Sequence, residues 1–184
     1  DDPSDDLAPV NDIVSNMLAL RAANGVGTMA NRLEVNTATL AYTAGDNGIL
    51  VTDTAGGLTI DDVDAITGSS SGGVTEITSA DSGLTVAHNV SSTGSIIMTA
   101  FDNNATGDDL TVQAMITVSS DTKITLQAGD NLTLQDRSRV QSGGGAGSAN
   151  NVVLNVETTT GSLAPGNEDT ELVSTSTVTI LGSI

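Results

Sequence analysis

The chain has 184 residues with 23 acidic and 5 basic side chains, which give it a formal net charge of −18 at pH 7. This charge excludes binding to nucleic acid and to an anionic membrane surface, because no basic patch can neutralise phosphates, and it favours small cations as partners. The absence of cysteine excludes disulfides and thiolate metal sites, and no apolar run is long enough for membrane insertion as a helix.

The chain opens with an acidic segment, residues 1–12, which is expected to be a linker or the lead-in to a cap. The apolar residues that follow fit two alternatives. One alternative is a short amphipathic helix that caps the first coil, formed by Ile13, Val14, Met17, Leu18 and Leu20. The other is a first strand at Leu18-Ala19-Leu20. We favour the strand.

A three-residue phrase that begins with leucine and alternates apolar, polar, apolar then recurs along the chain. Its copies begin at Leu33, Leu58, Leu84, Leu110 and Leu132, at spacings of 25, 26, 26 and 22 residues. A further apolar residue follows each copy: Leu40, Ile66, Val90, Val118 and Val140. Another strand-like segment precedes each copy from the second onward, at 49–51, 74–77, 96–98 and 124–126. Each repeat therefore holds three short strands separated by turn residues.

One such repeat cannot fold alone. About six inward aliphatic side chains contribute roughly 1.5–3 kcal/mol each, whereas ordering about 25 residues costs about 1 kcal/mol or more per residue. Stacking between repeats must supply the difference. The sequence therefore predicts an all-β fold over residues 13–184: a right-handed parallel β-helix, or β-solenoid, of roughly six to seven coils of 22–26 residues. The alternative is an antiparallel β-sandwich, which gives no reason for the repeated phrase.

The C-terminal segment, residues 166–184, follows Pro165 and ends in the apolar run 177–181. This run does not resemble a polar cap, although a solenoid must hide its last edge. We therefore expect the segment to dock onto the next domain or the next subunit.

Several stretches resemble known repeats. Residues 18–28 (LALRAANGVGT), 30–35 (ANRLEV), 48–54 (GILVTDT) and 57–60 (GLTI) resemble repeats in giant bacterial β-strand-repeat surface proteins. Residues 124–134 (ITLQAGDNLTL) are similar to filamentous-haemagglutinin-type β-helices. Together the resemblance covers about residues 17–156. It implies a secreted β-helical rod, extracellular or at the cell surface, used in adhesion, filaments or surface layers. It brings no catalytic residues.

Few residues suggest catalysis. His88 is the only histidine, and it is expected to be a surface turn residue between two strands. Asp61, Asp62 and Asp64 form the densest acidic group, but neither basic residues nor aromatic sugar platforms lie near them in the sequence. We therefore predict no catalytic residue and no enzymatic activity.

A cation site is a better-supported expectation. Asp81, Asp108, Asp109 and Asp130 stand one to three residues before the recurring leucine, so they should share one corner of successive coils. Coils stack about 4.8 Å apart, well inside a Debye length of about 8 Å. Carboxylates aligned in this way repel each other unless calcium bridges them or the side chains splay into water. The alternative is ordinary Asx-turn chemistry.

The polar position of the phrase forms a second column. It is threonine in four copies, at Thr59, Thr85, Thr111 and Thr133, and Glu34 in the first copy. An exposed ladder that serves solubility and strand propensity is expected there.

These features predict a structural module that binds itself or adjacent repeats end to end, either as a giant-adhesin repeat or as a subunit of a head-to-tail filament. The alternative is an adhesin module that binds glycans or a host surface protein. A polysaccharide-active enzyme is a third hypothesis, for which the sequence offers no set of residues.

Overall fold

The computed structural model describes residues 11–103, 106–143, 152–156, 171–174 and 179–181. These residues form a parallel β-solenoid of about six turns, which confirms the predicted fold class. The right-handed sense stays a prediction. Within the described ranges, no helix is long and apolar enough to cross a bilayer. Most of segments 1–12 and 166–184 lies outside the described residues.

The strands stack in three columns because each full coil contributes one strand to each column. The first column contains β4 (Gly48–Asp53), β7 (Thr75–Ser79), β10 (Ile96–Ala100), β13 (Ile124–Ala128) and β16 (Val152–Val156). The second contains β5 (Leu58–Ile60), β8 (Leu84–Val86), β11 (Leu110–Val112), β14 (Asn131–Leu134) and β17 (Glu171–Ser174). The third contains β6 (Ser69–Ser71), β9 (Val90–Ser92), β12 (Thr117–Ser120), β15 (Arg139–Ser142) and β18 (Thr179–Leu181). Pairing within each column is parallel.

The N-terminal coils use longer strands: β1 (Ile13–Ala22), the short β2 (Gly25–Val26) and β3 (Leu33–Ala44). β3 passes along all three columns, since it pairs in turn with β4, β5 and β6. β1 pairs with β3 along its whole length. The segment after residue 12 is therefore the favoured strand and not a capping helix.

The core is a continuous stack of small aliphatic side chains, as the composition requires. The leucines of four phrase copies, Leu58, Leu84, Leu110 and Leu132, lie in register with one another and are buried. The same hydrophobic cluster extends from Val35 to Val152. Coil-on-coil stacking therefore buries the side chains that a single coil leaves exposed.

The first copy of the phrase does not belong to this column. Leu33 pairs with Val51 of the first column, and Glu34 pairs with Thr52. Thr39 pairs with Thr59 instead. The reason is that β3 crosses from the first column to the second as one uninterrupted strand, without the turn that separates these columns in later coils. The threonine ladder therefore consists of Thr39, Thr59, Thr85, Thr111 and Thr133, and Glu34 lies outside it.

The second copy departs from the pattern at its last apolar residue. Ser69, not Ile66, pairs with Val90 in the third column. Residues 61–68 leave the stack as a turn in which Val63 and Ile66 form an antiparallel bridge. These two side chains pack against Ala41 in a small cluster of their own. The turn therefore leaves a serine where later coils have valine.

Two ion pairs in the N-terminal half join residues whose coils are two apart. Arg21 on β1 contacts Asp64 at 3.2 Å. Arg32, just before β3, contacts Glu76 on β7. Leu50 lies in register with Glu76 and is only 4% exposed although it faces outward from the stack. These pairs therefore reach across a coil that lies between their partners.

Candidate functional site: the acidic corner

The turns that join the first column to the second carry most of the buried carboxylates. We call this region the acidic corner; it comprises Asp53, Asp81, Asp102, Asp108, Asp109 and Asp130. The four predicted ligands lie there as expected, since Asp81 precedes β8, Asp108 and Asp109 precede β11, and Asp130 precedes β14. The structure thus places these four residues at one corner of successive coils.

Carboxylates of the acidic corner bind backbone N–H groups of the neighbouring coil. Oδ2 of Asp81 accepts the N–H of Gly56 at 3.0 Å. Oδ2 of Asp130 accepts the N–H groups of Gly107 at 2.6 Å and of Asp108 at 3.1 Å. The corner therefore clips coil to coil, which goes beyond the local Asx-turn chemistry considered as the alternative.

Asp109 makes the same kind of contact in the other direction along the stack. Its Oδ1 accepts the backbone N–H of Asn131 at 3.1 Å and the side-chain N–H of the same residue at 2.8 Å. This carboxylate is therefore already held by the next coil.

Asp108 and Asp130 do not splay into water. They are 1% and 9% exposed. Oδ2 of Asp108 accepts the N–H of Asn103 at 3.0 Å, whereas its Oδ1 is buried without a hydrogen-bond partner in the protein. Burial raises the pKa of Asp108, the N–H of Asn103 opposes the rise, and the charges of Asp130, Asp102 and Asp81 add to it. The predicted repulsion is therefore present at a site that water does not reach.

Two members of the corner were missed by sequence reasoning, which considered only carboxylates that precede the recurring leucine. Asp102 follows β10 and is 8% exposed. Asp53 ends β4 and is fully buried; its Oδ1 accepts the N–H of Thr37 at 2.9 Å, and its Oδ2 has no partner. Burial raises the pKa of Asp53 to about 6, opposed by the Thr37 N–H and reinforced by the charge of Asp81. The signal available in the sequence was an acidic residue at or just after the end of a first-column strand.

The carboxylates of the corner offer only oxygen ligands, a donor type that suits protons and hard cations. A nitrogen ligand, from His88, is found at a different turn. Among the residues that the structure describes, Asp61, Asp62 and His88 place one ligand atom each within 4.8 Å of one another. No three described carboxylates of the acidic corner come that close to one another.

His88 is not the surface residue that the sequence predicted. It is 6% exposed. Its Nδ1 lies 2.8 Å from Oδ1 of Asp62, and its Nε2 lies 2.7 Å from Oγ of Ser69. The prediction failed because residues 61–68 fold outward and leave Ser69, whose small side chain makes room for the imidazole.

This arrangement resembles the order of a Ser–His–Asp triad, but the serine is placed differently. Ser69 is 2% exposed, and its Oγ also accepts the backbone N–H of Tyr42 at 3.1 Å. A nucleophile must reach its substrate, whereas this hydroxyl links the strand bearing Tyr42 to the imidazole. The geometry supports a structural relay from Asp62 through His88 to the backbone of β3.

Comparisons of the chain with protein-family models, with curated proteins and with solved structures found no match. The geometry of the solenoid and of its acidic corner is therefore what bears on function.

Proposed function

We propose that this chain is a structural rod segment of an extracellular bacterial surface protein, either one repeat of a giant adhesin or a subunit of a head-to-tail filament. The proposal rests on one observation above all: the apolar core is half-open at β1. Ile13, Leu18 and Leu20 are partly buried. Their partners one coil later, Val35, Leu40 and Tyr42, are fully buried.

β3 has paired strands on both sides, since it pairs with β1 and with β4, β5 and β6. Among the described strands, β1 pairs with β3 alone. An open strand edge over an open apolar core is a surface suited to another parallel coil. Contacts of one end with the other are heterologous and produce filaments unless the rotation closes.

The extracellular location is supported by the resemblance of residues 17–156 to repeats of surface proteins and by the acidic composition, which keeps a long rod soluble through charge repulsion. A rod gains reach by adding coils, because each coil contacts only its neighbours and adds about 4.8 Å. Length is therefore the property that this fold supplies.

Electron microscopy of the purified chain over a range of concentrations tests the proposal. About six coils form a segment roughly 30 Å long, so end-to-end association gives rods that are multiples of this length. Leu18→Arg places a charge in the open core and should leave single segments. Val14→Arg is the matched control, because Val14 lies on the same strand but is 71% exposed, and it should assemble as the unmodified chain does.

Circular dichroism confirms that both variants keep their strands. If the unmodified chain stays single at all concentrations, a fusion of two copies decides between the two forms of the proposal. One continuous rod of double length supports the adhesin repeat. Two separately tumbling segments, together with single wild-type chains, refute the rod function.

A second function, the binding of glycans or of a host protein, is favoured by one feature. A furrow of about 330 Å³ runs along the threonine ladder, with Thr59, Thr85 and Thr111 among its lining residues. Its polar hydroxyls suit sugar hydroxyls. Retention on a glycan array that is lost in Thr85→Val supports this function, and an array without any retained glycan contradicts it.

A further inference from the structure

His88 is a buried imidazole whose two ring nitrogens face different surroundings. Its Nε2 lies 2.7 Å from Oγ of Ser69, which also accepts the backbone N–H of Tyr42 at 3.1 Å. Its Nδ1 lies 2.8 Å from Oδ1 of Asp62. His88 is 6% exposed, whereas the side chain of Asp62 is 56% exposed. One nitrogen is therefore held from inside the stack, and the other faces a carboxylate that water reaches.

Nδ1 of His88 and Oδ1 of Asp62 need an electron-pair acceptor between them. An ionised carboxylate only accepts hydrogen bonds, and an imidazole nitrogen without its proton does the same. A proton between the two atoms satisfies the pair. A metal ion does so as well, because imidazole and carboxylate are both common metal ligands. The position between the two side chains is therefore one at which a metal ion can replace a proton.

Asp61 distinguishes this place from an ordinary pair of histidine and aspartate. It brings a third ligand atom, so that the imidazole and the two carboxylates each offer one atom, all within 4.8 Å of one another. In a tetrahedral shell with bonds of about 2.0–2.1 Å, ligand atoms lie about 3.3 Å apart. Both carboxylates lie in the turn 61–68, outside the stacked strands. They can therefore make the small adjustment while the buried imidazole stays in place.

The hydrogen bonds around the three ligands match the outer shell of a metal site. A ligating histidine is usually hydrogen-bonded through its second nitrogen, and ligating carboxylates are hydrogen-bonded in turn. Here Ser69 bonds the second nitrogen of His88. Oδ1 of Asp61 accepts the N–H of Asp62 at 2.7 Å, and Oδ1 of Asp62 accepts the N–H of Gly68 at 3.1 Å. All three ligands are therefore oriented before an ion arrives.

We propose that Asp61, Asp62 and His88 bind one zinc ion, with water completing the shell. Asp61 and Asp62 follow β5, and His88 lies between β8 and β9, so the ion fastens the outward turn to the next coil. Binding releases to water the proton that Nδ1 and Oδ1 share. The site is separate from the proposed rod function, since all three ligands belong to one chain.

Zinc fits this ligand set better than the hard divalent ions do. Calcium and magnesium take oxygen ligands, six to eight for calcium and a near-ideal octahedron for magnesium. Zinc accepts imidazole nitrogen together with carboxylate oxygen, and three protein ligands with one water form one of its common shells. The nitrogen of His88 therefore decides the class of ion.

Isothermal titration of the full chain with ZnCl₂, in a large excess of CaCl₂, tests the proposal. The calcium occupies or screens the oxygen-only positions that a chain of net charge −18 offers to any divalent ion. We expect one zinc ion per chain. Asp61→Asn and His88→Gln should each weaken zinc binding by more than the roughly tenfold that the loss of an outer-shell partner costs. Asp61→Asn keeps an oxygen that accepts the N–H of Asp62, so it remains informative if His88→Gln does not fold.

Asp64→Asn is the matched control. It removes the same charge from the same turn, but Asp64 pairs with Arg21 and is not one of the three ligands. Asparagine also tolerates the positive φ of this position, 48°. The control should bind zinc as the unmodified chain does.

Cobalt in place of zinc supplies a spectroscopic readout. Co²⁺ in a tetrahedral shell absorbs visible light more strongly than hydrated Co²⁺, so the unmodified chain and Asp64→Asn should develop this absorption and Asp61→Asn should not. Thermal unfolding supplies another readout. Zinc at about 100 times Kd should raise the Tm of the unmodified chain by about 5–10 °C, and Asp61→Asn should lose most of this gain.

Two outcomes overturn the proposal. One is the absence of zinc binding in excess calcium, which indicates general attraction of cations to an acidic surface. The other is equal zinc binding by the unmodified chain and Asp61→Asn. Both are measured on single chains, so neither outcome depends on end-to-end association.

Discussion

The buried carboxyl of Asp53 predicts an unusual dependence of stability on pH. Its pKa is raised from 3.8 to about 6 by burial, so between these values the folded chain holds a proton that the unfolded chain has lost. The free energy of unfolding therefore falls as the pH rises through this window. A pKa that moves from 3.8 to about 6 corresponds to about 3 kcal/mol of stability, present below pH 4 and lost above pH 7.

Asp53→Asn removes this proton-binding group and keeps an oxygen that accepts the N–H of Thr37. The variant should match the unmodified chain in stability near pH 4 and exceed it by about 3 kcal/mol at pH 8. Taking the difference between the two proteins at each pH cancels the contributions of the other acidic residues, except for the coupling to Asp81.

Urea unfolding at five pH values from 4 to 8, in chelator, measures this difference, because urea is uncharged and does not screen the carboxylates. Chelator separates the effect from any bound cation at the acidic corner. Parallel stability curves for Asp53→Asn and the unmodified chain would refute the reasoning, since they would mean that Asp53 titrates alike in the folded and unfolded chains.

Five substitutions, grouped in three tests, examine the packing. Gly48 and Gly56 have similar φ angles, +80° and +78°, but a Cβ at Gly48 would lie 2.0 Å from a carbonyl oxygen, whereas a Cβ at Gly56 would meet nothing within 4 Å. Gly56→Ala should therefore cost about 1–2 kcal/mol of stability, and Gly48→Ala about 1–3 kcal/mol more. Equal costs of the two variants in urea unfolding would contradict this. Ser69→Val supplies the residue type found in later coils. It should nevertheless cost about 1–3 kcal/mol, because it leaves Nε2 of His88 and the backbone N–H of Tyr42 without a partner. A stabilised variant would count against the relay. Leu110→Ala should cost about 2–5 kcal/mol, whereas alanine at the adjacent ladder threonine should change stability by less than about 0.5 kcal/mol; similar losses in the two would contradict the assignment of inward and outward faces.

The periodicity of the sequence predicted the fold class and the register of the middle coils, because Leu58, Leu84, Leu110 and Leu132 each begin a strand of the same column. It misplaced Leu33. All three columns use alternating apolar and polar residues, so a matching phrase does not identify its column. Only the turns between strands show to which column a phrase belongs. β3 crosses from the first column to the second without a turn.

Depth of burial was harder to predict than position. The four predicted acids reach one corner as expected, but whether a carboxylate there is covered depends on the coil above it. Asp108 is buried, whereas Asp81 is exposed. His88 was misjudged for the same kind of reason: its pocket exists because the preceding coil diverts residues 61–68 outward. The space for the imidazole is created by a neighbouring coil, so the residues next to His88 in the sequence do not predict it.

The ion pairs that reach over a coil alter how the rod comes apart. A solenoid held together only by contacts between adjacent coils frays one coil at a time from its ends. The bonds of the acidic corner are of this nearest-neighbour kind. Arg21–Asp64 and Arg32–Glu76 each connect a coil to the second one along, so releasing the first coil also breaks a tie held by the third. The N-terminal coils are therefore coupled by more than the contacts between adjacent coils.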